Sequence, residues 1–228
     1  MNKILKSMLF FAVAFVAALG LQSCDDDDDN YYIYNPYPRA NALVTLKTNP
    51  ANGQFFMQLN DSVVIVPNNL KANPFGDKEV RALVAANIGN ISNIGKRDTL
   101  YADVHVLDSV RTKDMSPLVS DADKVYGTDP VEIINDWITV CEDGYLTLHF
   151  RTYFGGAARH ALRLVKTDDN TITLYHDANR DYQGSVGDGI IAFRLSDLPA
   201  TDGKYKEITL KWNAFSGEKS VKFKYLKK

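Results

Sequence analysis

Cysteine is scarce in this sequence. Only Cys24 and Cys141 occur among 228 residues, so the chain cannot build the disulfide framework that is typical of small secreted domains. Cys141 ends the apolar run Trp137–Cys141, and no histidine lies close enough in the local sequence to activate it as a nucleophile. We therefore expect Cys141 to be a small buried side chain and not a catalytic thiol.

An excess of positive charge is also missing. The chain carries 26 basic and 28 acidic residues, and five of the acids form one run, Asp25–Asp29. A leader that ends before Cys24 would take Lys3 and Lys6 with it and leave 24 basic residues. Outside the aspartate run, 23 acidic residues balance them. A body this close to neutral argues against nucleic acid as a partner.

No apolar run reaches the length of about 20 residues that a membrane-spanning helix needs. Met8–Leu21 follows two lysines and is typical of a secretory signal peptide, which we assign to residues 1–23. The leader ends in Leu21-Gln22-Ser23-Cys24, which resembles the lipobox of bacterial lipoproteins. This resemblance implies cleavage before Cys24, a diacylglyceryl group on its thiol and a further acyl chain, such as palmitate, on its amine. A plain secretory peptide with Cys24 as a bystander is the alternative.

Residues 24–39 are predicted to form a lipidated acidic tether and a linker that contains Pro36 and Pro38. Consecutive carboxylates repel each other, which favours an extended, hydrated segment that spaces the body from the lipid. The run also resembles the surface-export signal of lipoproteins in Gram-negative gut and oral anaerobes. We therefore expect an outer-membrane lipoprotein that faces the cell surface, with a periplasmic orientation as the alternative. The export signal would comprise Asp25, Asp26, Asp27, Asp28 and Asp29.

A long helical repeat is absent, and apolar residues alternate with polar ones along most of the chain. This period predicts an all-β fold that begins, over residues 40–115, with a five-stranded barrel of the OB type. The connection Asn68–Asp77 contains Pro74 and Gly76, so the helix of typical OB-folds is predicted to be short or missing here. The five strands are predicted at Ala42–Thr48, Gln54–Asn60, Ser62–Pro67, Lys78–Ile88 and Thr99–Val110.

Residues 116–228 are predicted to form an antiparallel β-sandwich of about seven short strands. The polar segment Met115–Pro130 is predicted to be the boundary between the two units. Tyr145–Tyr153 alternates between an apolar face and a polar face that includes Thr147 and His149. The other strands are Arg159–Val165, Thr171–His176, Gly189–Leu195, Lys206–Phe215 and Lys219–Leu226, the last two joined at Ser216-Gly217-Glu218.

Several short motifs of the second unit carry a family resemblance. They are Asp136–Val140, Asp143–Leu148, His160 with Leu162 and Leu164, Phe193–Pro199 and Lys211-Trp212. Together with the lipobox, the aspartate run and the two β blocks, they resemble the NigD-like lipoproteins over nearly all of the mature chain. The resemblance implies an OB domain followed by a sandwich, and it implies no catalytic residues. The family name comes from a bacteriocin gene cluster, which suggests an immunity role.

The familiar motifs of catalytic sites are missing, including Gly-x-Ser-x-Gly, His-Glu-x-x-His and the dinucleotide fingerprint. Gly89–Lys96 is one residue too long for a phosphate loop, and Arg97 stands where Ser or Thr must hold the metal. This segment joins the fourth and fifth strands, where OB-folds bind oligonucleotides or sugars. Asn93, Lys96 and Arg97 are therefore candidate ligand contacts, with an ordinary exposed hairpin loop as the alternative.

The spacing of metal ligands is missing as well, so we expect no metal and no cofactor. Asp177, Asn179 and Asp181 alternate as in a calcium loop, but Tyr182 replaces the necessary glycine, and a polar turn is the simpler prediction. None of the histidines has the close spacing of a zinc site, and His149 and His160 are not expected to converge. The four histidines are His105, His149, His160 and His176.

Three Asp-Ser/Thr-apolar triplets in the first unit resemble the acceptor for O-glycosylation in these anaerobes. Capping of strand ends by Asp and Ser is the alternative. The candidate acceptors are Ser62, Thr99 and Ser109.

We predict a non-catalytic envelope protein that is attached to the membrane by lipid and binds a glycan, a partner protein or a toxin. Bacteriocin immunity is one variant of this function. An envelope hydrolase acting on glycans would instead need two acids converging about 5–10 Å apart. An accessory subunit of an outer-membrane complex would need an exposed apolar patch of more than several hundred Å².

Overall fold

The computed structural model describes residues 40–76, 78–88, 98–156 and 158–227. The predicted signal peptide, tether and linker lie outside these residues. No helix within the described ranges is both long and apolar enough to cross a membrane.

The first unit is a small closed barrel. Its strands are β1 (Ala42–Thr48), β2 (Phe55–Gln58), β3 (Val64–Pro67), β4 (Val80–Ile88) and β5 (Thr99–Val110). They follow one another around the barrel in the order β1-β2-β3-β5-β4, with only the β3–β5 pair parallel. Val44, Met57 and Ile65 are fully buried inside it, because alternate residues of a strand point to one face. The predicted five-stranded barrel of the OB type is confirmed.

The loops that connect the barrel strands are shaped by their asparagine, proline and glycine residues. Asn60 accepts hydrogen bonds from the backbone amides of Ser62 and Val63 at 2.9 Å each, and this closes the predicted hairpin between β2 and β3. In residues 68–76, the described part of the connection before β4, the chain forms turns and no helix. Pro74 and Gly76 account for this, since both disfavour a regular helix.

The second unit is a sandwich of two sheets. Its elements are β6 (Thr112–Asp114), α1 (Ala122–Tyr126), β7 (Glu132–Ile133), β8 (Val140–Glu142), β9 (Tyr145–Phe154), β10 (Ala161–Asp168), β11 (Thr171–Asp177), β12 (Ser185–Arg194), β13 (Lys206–Ala214) and β14 (Gly217–Tyr225). One sheet has the order β10-β11-β13-β14, and the other has the order β6-β12-β9-β7 with β8 paired to β9. Leu148, Phe150, Leu164, Ile172 and Leu210 are fully buried between the two sheets.

The predicted sandwich is confirmed, with two adjustments. The pairs β11–β13 and β6–β12 are parallel, so the sandwich is not antiparallel throughout. The last hairpin turns at Phe215-Ser216, slightly earlier than predicted, because Ala214 pairs with Gly217.

Met115–Pro130, the predicted boundary, packs against the sandwich. Met115 is buried in the sandwich core, and α1 places Ala122 and Tyr126 on the outer side of β10 and β11. β6, which lies before this segment, already pairs with β12. The chain therefore passes from barrel to sandwich at Arg111, between β5 and β6.

The barrel and the sandwich share a buried interface. Arg81 of β4 is completely buried and donates hydrogen bonds to Thr45 in the barrel and to Thr147 and Glu142 in the sandwich, at 2.9, 3.3 and 3.1 Å. Beside it, Leu43, Leu83 and Val110 of the barrel pack with Ile138 and Ala192 of the sandwich.

The polar face predicted for β9 is therefore covered at Thr147 and His149, whereas Arg151 on the same face is exposed. Thr147 is fully buried and His149 is 5% exposed. The barrel covers Thr147 through Arg81, and the loop that contains Asp136 and Thr139 covers His149. Local periodicity identifies a polar face correctly, but it cannot show that another unit lies on it.

Candidate functional site

An open groove of about 530 Å³ lies on the outer side of the sheet β10-β11-β13-β14. Thr171 and Thr173 of β11 are only half-buried, whereas Ile172 and Leu174, which alternate with them, are buried in the core. The two threonines therefore point away from the core and line the groove. From β13, Lys211 and Asn213 line the groove, whereas Trp212 between them packs in the sandwich core.

One wall of the groove is the segment that follows α1. It is inserted beside the ends of β11 and β13, where the amide of Asp129 donates to the carbonyl of His176 at 2.8 Å. Asn213 holds the same segment by donating from Nδ2 to the carbonyl of Thr128. Gly127 has a φ of 81°, and a Cβ built on it would lie 2.8 Å from the carbonyl oxygen of His176. Only glycine fits this close approach of two backbones.

The polar atoms of the groove are mostly hydrogen-bond acceptors. Asp123, Asp129, Asp168 and Glu218 line it, together with the hydroxyls of several threonines. The hydroxyls of Thr167 and Thr173 are 3.0 Å apart. Burial raises the pKa of Tyr175, and the neighbouring Asp123 raises it further. Tyr175 therefore stays a neutral phenol at the foot of α1.

Two buried histidines stand behind this wall. Nδ1 of His176 lies 3.2 Å from the carbonyl oxygens of Asp129 and Pro130, and Nε2 lies 2.9 Å from Nδ1 of His160. Because carbonyls only accept, His176 donates from Nδ1, and its Nε2 accepts the proton of His160. Burial lowers the pKa of His176 to about 4, and the adjacent His160 lowers it in the same direction. His176 is therefore neutral at ordinary pH, and its hydrogen bonds hold the groove wall in place.

Asp181 completes this buried group. It is 4% exposed and accepts hydrogen bonds from the amides of Gly155 and Gly156 at 3.0 Å each. Burial alone would raise its pKa, but these amides and His160, 3.5 Å away, outweigh that effect and lower it. The carboxylate is thus fixed as an anchor for the loop between β9 and β10.

A second histidine cluster lies on the other sheet. Nδ1 of His149 is 2.6 Å from Asp136, and Nε2 is 3.6 Å from Asp188, which also forms two hydrogen bonds with Arg151. Asp136 in addition accepts from the amides of Ile138 and Thr139. The motif Asp136–Val140 therefore holds a loop against β9 and leaves Trp137 52% exposed.

As predicted, His149 and His160 do not converge, but His160 and His176 do, which no local motif indicates. Their positions at facing ends of β10 and β11 bring them together: Leu162 of β10 pairs with His176. Asp181, from the segment that alternates as a calcium loop does, instead accepts from the amides of Gly155 and Gly156. Among the described residues, no group of three or more His, Cys, Asp or Glu side chains could hold a metal ion.

The other predicted sites have mixed outcomes. Cys24, the aspartate run, and the loop residues Asn93, Lys96 and Arg97 lie outside the described residues. Ser62 and Ser109 are exposed and Thr99 is half-buried, and their glycosylation stays a prediction. Burial, assisted by Asp61 and Glu142, raises the pKa of the Cys141 thiol to about 12, which fits a structural side chain.

Comparison with known proteins places the second unit in a family. The model of the NigD-like C-terminal β-sandwich domain matches residues 114–225. A solved structure from Parabacteroides distasonis, provisionally assigned as toxin-related, shares 30% identity with this chain. It covers 81% of this chain and 92% of its own length, with a TM-score of 0.66.

Two further solved structures show a similar fold. A NigD-like immunity protein from Bacteroides caccae has 18% identity and a TM-score of 0.54, and the match covers 85% of this chain and 100% of that one. A provisionally assigned lipoprotein from Bacteroides fragilis has 12% identity and a TM-score of 0.50, with 82% and 97% covered. No protein of curated function matches the chain.

Proposed function

The chain belongs to the NigD-like family, and we propose that it is a non-catalytic binding protein of the bacterial cell envelope. The observation that carries the proposal is the polar groove on the family's own sandwich domain. A groove of about 530 Å³ lies within the range of small-ligand and peptide sites. Its walls are ordered by buried hydrogen bonds, so the site is preformed and binding need not order it.

The hydrogen bonds of two buried titratable side chains, Asp181 and His176, and of the half-buried Asp136 support a non-catalytic role. Asp181 accepts two backbone amides, His176 donates to two backbone carbonyls, and Asp136 accepts two more amides. Groups committed in this way to backbone positions are not free to exchange protons with a substrate. They act as supports for loops.

The envelope location rests on the leader of the sequence. We propose that Cys24 carries the lipid and that Asp25–Asp29 directs the body to the outer surface of the outer membrane. One similar structure is described as a lipoprotein and another as an immunity protein. We propose protection against a bacteriocin as the specific role, in which the groove holds part of the toxin.

The test uses a variant that fills the groove. Thr173→Arg places a long cation in the groove, and Ser196→Arg adds the same side chain to an exposed loop away from the groove. Cells that lack the protein are exposed to culture filtrates of competing strains. We expect wild type and Ser196→Arg to restore growth and Thr173→Arg to fail at equal surface amounts. Equal protection by all three would overturn a role for the groove, and hydrolysis of added glycans by the purified protein would overturn the non-catalytic assignment.

One observation favours the accessory-subunit alternative. Tyr153, Val186 and Phe215 are 41%, 52% and 43% exposed, and the rings of Tyr153 and Phe215 meet edge to face at 5.3 Å. Val186 lies opposite Tyr153 on the neighbouring strand. Exposed apolar residues that lie together can mark a protein interface. This alternative would be favoured if the Tyr153→Ser variant dissociated from a larger complex while the Thr173→Arg variant stayed bound to it.

A further inference from the structure

Strand β12 has an open hydrogen-bonding edge over its first half. One edge of β12 pairs with β9 along the whole strand, from Ser185 to Arg194, but its other edge pairs with β6 only from Ala192 onwards. The described part of the chain offers no backbone partner to this second edge between Val186 and Ile190. The sheet therefore ends in an unpaired edge next to β6.

The direction of the unpaired groups follows from Ala192. Its amide donates to the carbonyl of Arg111 at 2.8 Å, on the side of β6 and away from β9. Backbone groups of successive residues in a strand point to opposite edges, and the register of β12 with β9 is regular. Val186, Asp188 and Ile190 therefore each direct an N–H and a C=O to the open edge.

Two other sheet edges carry protection that this one lacks. An exposed edge can pair with another chain, and proteins commonly prevent this with lysine, proline or a covering segment. The edge strand β10 is covered at Ser116, whose amide bonds to its backbone. The residues from Ser185 to Ile190 include neither lysine nor proline. By contrast, the edge strand β14 carries Lys219, Lys222 and Lys224.

The side chains beside the open edge are apolar or neutralised. Val186 and Tyr153, which lie opposite each other on β12 and β9, are both exposed. The carboxylate of Asp188 accepts two hydrogen bonds from Arg151, at 2.5 and 2.8 Å, so this pair carries no net charge. The edge is therefore complementary to an uncharged segment with apolar side chains.

The spacing of the free backbone groups selects the kind of occupant. Residues two apart in a strand are separated by about 7 Å, so the free N–H and C=O groups recur at the repeat of an extended peptide backbone. Sugars and small molecules have no such repeat. The row also continues that of β6, which already pairs on this edge in the parallel sense.

We propose that the open edge of β12 binds an extended, uncharged segment of a protein partner as an additional strand. The segment pairs its backbone with Val186, Asp188 and Ile190. A β-branched or aromatic side chain of the segment packs on Val186, as cross-strand neighbours do. Backbone pairing supplies affinity, and the apolar contact supplies selectivity. This inference goes beyond the proposed function, because the groove lies on the other sheet.

The experiment measures amide hydrogen exchange by NMR on the mature lipidated chain in an uncharged detergent. The probe is the peptide acetyl-Ser-Thr-Val-Thr-Tyr-Thr-Ser-amide. The same peptide with N-methyl groups on its central amides is the matched control, because it cannot donate backbone hydrogen bonds there. In the free chain, the amides of Val186, Asp188 and Ile190 should exchange faster than those of Gly187 and Gly189, which point to β9.

We expect the peptide to slow exchange at the three outward amides, and the methylated peptide to have no effect. Val186→Pro removes one outward N–H and leaves the bonds to β9 in place, so it should weaken binding by about fivefold, the equivalent of one hydrogen bond. Val186→Lys should also weaken binding, because lysine opposes pairing at an edge. Val221→Lys, at an exposed valine of β14, is the matched control and should leave the affinity unchanged.

Several results would overturn the assignment. They are equal binding of the methylated peptide, an equal loss of affinity in Val221→Lys, and unchanged exchange at the outward amides when the peptide is added. Slow exchange at these amides that depends on protein concentration alone would overturn it in favour of a second copy of the chain. The proposed function is tested separately, because the Thr173→Arg protection test concerns the groove and not this edge.

Discussion

At the scale of single residues, His176 connects the groove wall to the sandwich interior. It donates to the carbonyls of Asp129 and Pro130 and accepts from His160, and it is 1% exposed. A proton added to Nε2 would remove the acceptor that His160 needs. Burial and His160 together therefore explain why the pKa of His176 is about 4.

This residue should make the protein sensitive to mild acid. Between about pH 6.5 and about pH 4, the unfolded chain binds a proton at His176 that the folded chain does not, so stability falls as pH falls through this window. Across this window His176 alone lowers the free energy of unfolding by about 3 kcal/mol. Above pH 6.5 none of this loss has occurred. Urea unfolding at a series of pH values measures it. His176→Phe should be less stable at neutral pH and show a shallower slope, whereas an unchanged slope would assign the effect to another group.

Cys24 is the second residue whose chemistry is testable alone. Because the lipobox resemblance makes its thiol the acceptor of the diacylglyceryl group, Cys24→Ala should accumulate as an unprocessed precursor or be released as a soluble species. Detergent phase partitioning and the mass of the N-terminal peptide report the outcome. Cys141→Ala is the control and should partition like wild type. A Cys24→Ala chain that still enters the detergent phase would argue against the anchor.

At the scale of elements, a comparison of Gly144 with Gly127 distinguishes the effect of backbone strain from the effect of a steric clash. Gly144 closes the β8–β9 hairpin with a φ of 78°, after Asp143 at 52°, and nothing lies within 4 Å of a Cβ built there. Gly127 has a similar φ, but its Cβ would meet His176 and Asp177 at 2.8 Å. Both glycines have a positive φ, but only Gly127, in the groove wall, lies too close to another backbone segment for a Cβ to fit.

We therefore expect unequal effects of alanine at these two turns. Gly144→Ala should lower the free energy of unfolding by about 1 kcal/mol, which is the strain of positive φ alone. Gly127→Ala should lower it by about 2–3 kcal/mol, because two backbone segments must also move apart. Chemical denaturation compares the two directly. Equal losses would show that the groove wall adapts easily to an added methyl group.

The aspartate run is an element of a different kind, since its proposed role depends on position and not on packing. Five extended residues reach at most roughly 17 Å, which would suit a spacer on either side of the membrane. If the run is an export signal, replacement of Asp25–Asp29 by Ser and Ala should leave the lipid anchor intact but protect the body from external protease. Surface labelling of intact cells measures this. Labelling equal to wild type would reduce the run to a spacer.

At the scale of the whole molecule, Arg81 joins the barrel to the sandwich. Its guanidinium has no exposed surface and bonds to Thr45, Thr147 and Glu142. Burial raises the pKa of Glu142, and Arg81 opposes this rise. Separation of the two units would place the interface residues Leu43, Ile138 and Ala192 in water. The two units should consequently unfold together.

We expect Arg81→Ala to destabilise the protein by about 3–5 kcal/mol, the usual loss when one partner of a buried ion pair is removed. The double variant Arg81→Met with Glu142→Gln should recover much of the lost stability, because no buried charge is then left unpaired. Equilibrium unfolding followed by both tryptophan emission and circular dichroism gives the values. Trypsin should cut Arg81→Ala at Arg111, between the units, and spare wild type. Rapid cutting of wild type there would show that the units separate without the substitution.

Much of the fold could be predicted because alternation along a strand is a local property. β1, β4, β5 and β9 were placed to within about two residues by the alternation of apolar and polar side chains. The short strands β6 and β7 contain only three and two residues, which is too few for a period to be recognised. They exist because β12 and β9 offer them hydrogen-bonding edges.

The sequence by itself determined the family, the two β folds and the packing of Cys141 against the core. These depend on local pattern and on side chains that act within their own strand or motif. Only the tertiary structure decided where the groove lies, that His160 meets His176, and that Arg81 joins the two units. Those features are formed by residues that lie apart in sequence, 66 positions in the case of Arg81 and Thr147. The pairing of strands and the packing of the barrel against the sandwich bring them together, and the period of a single strand does not encode that arrangement.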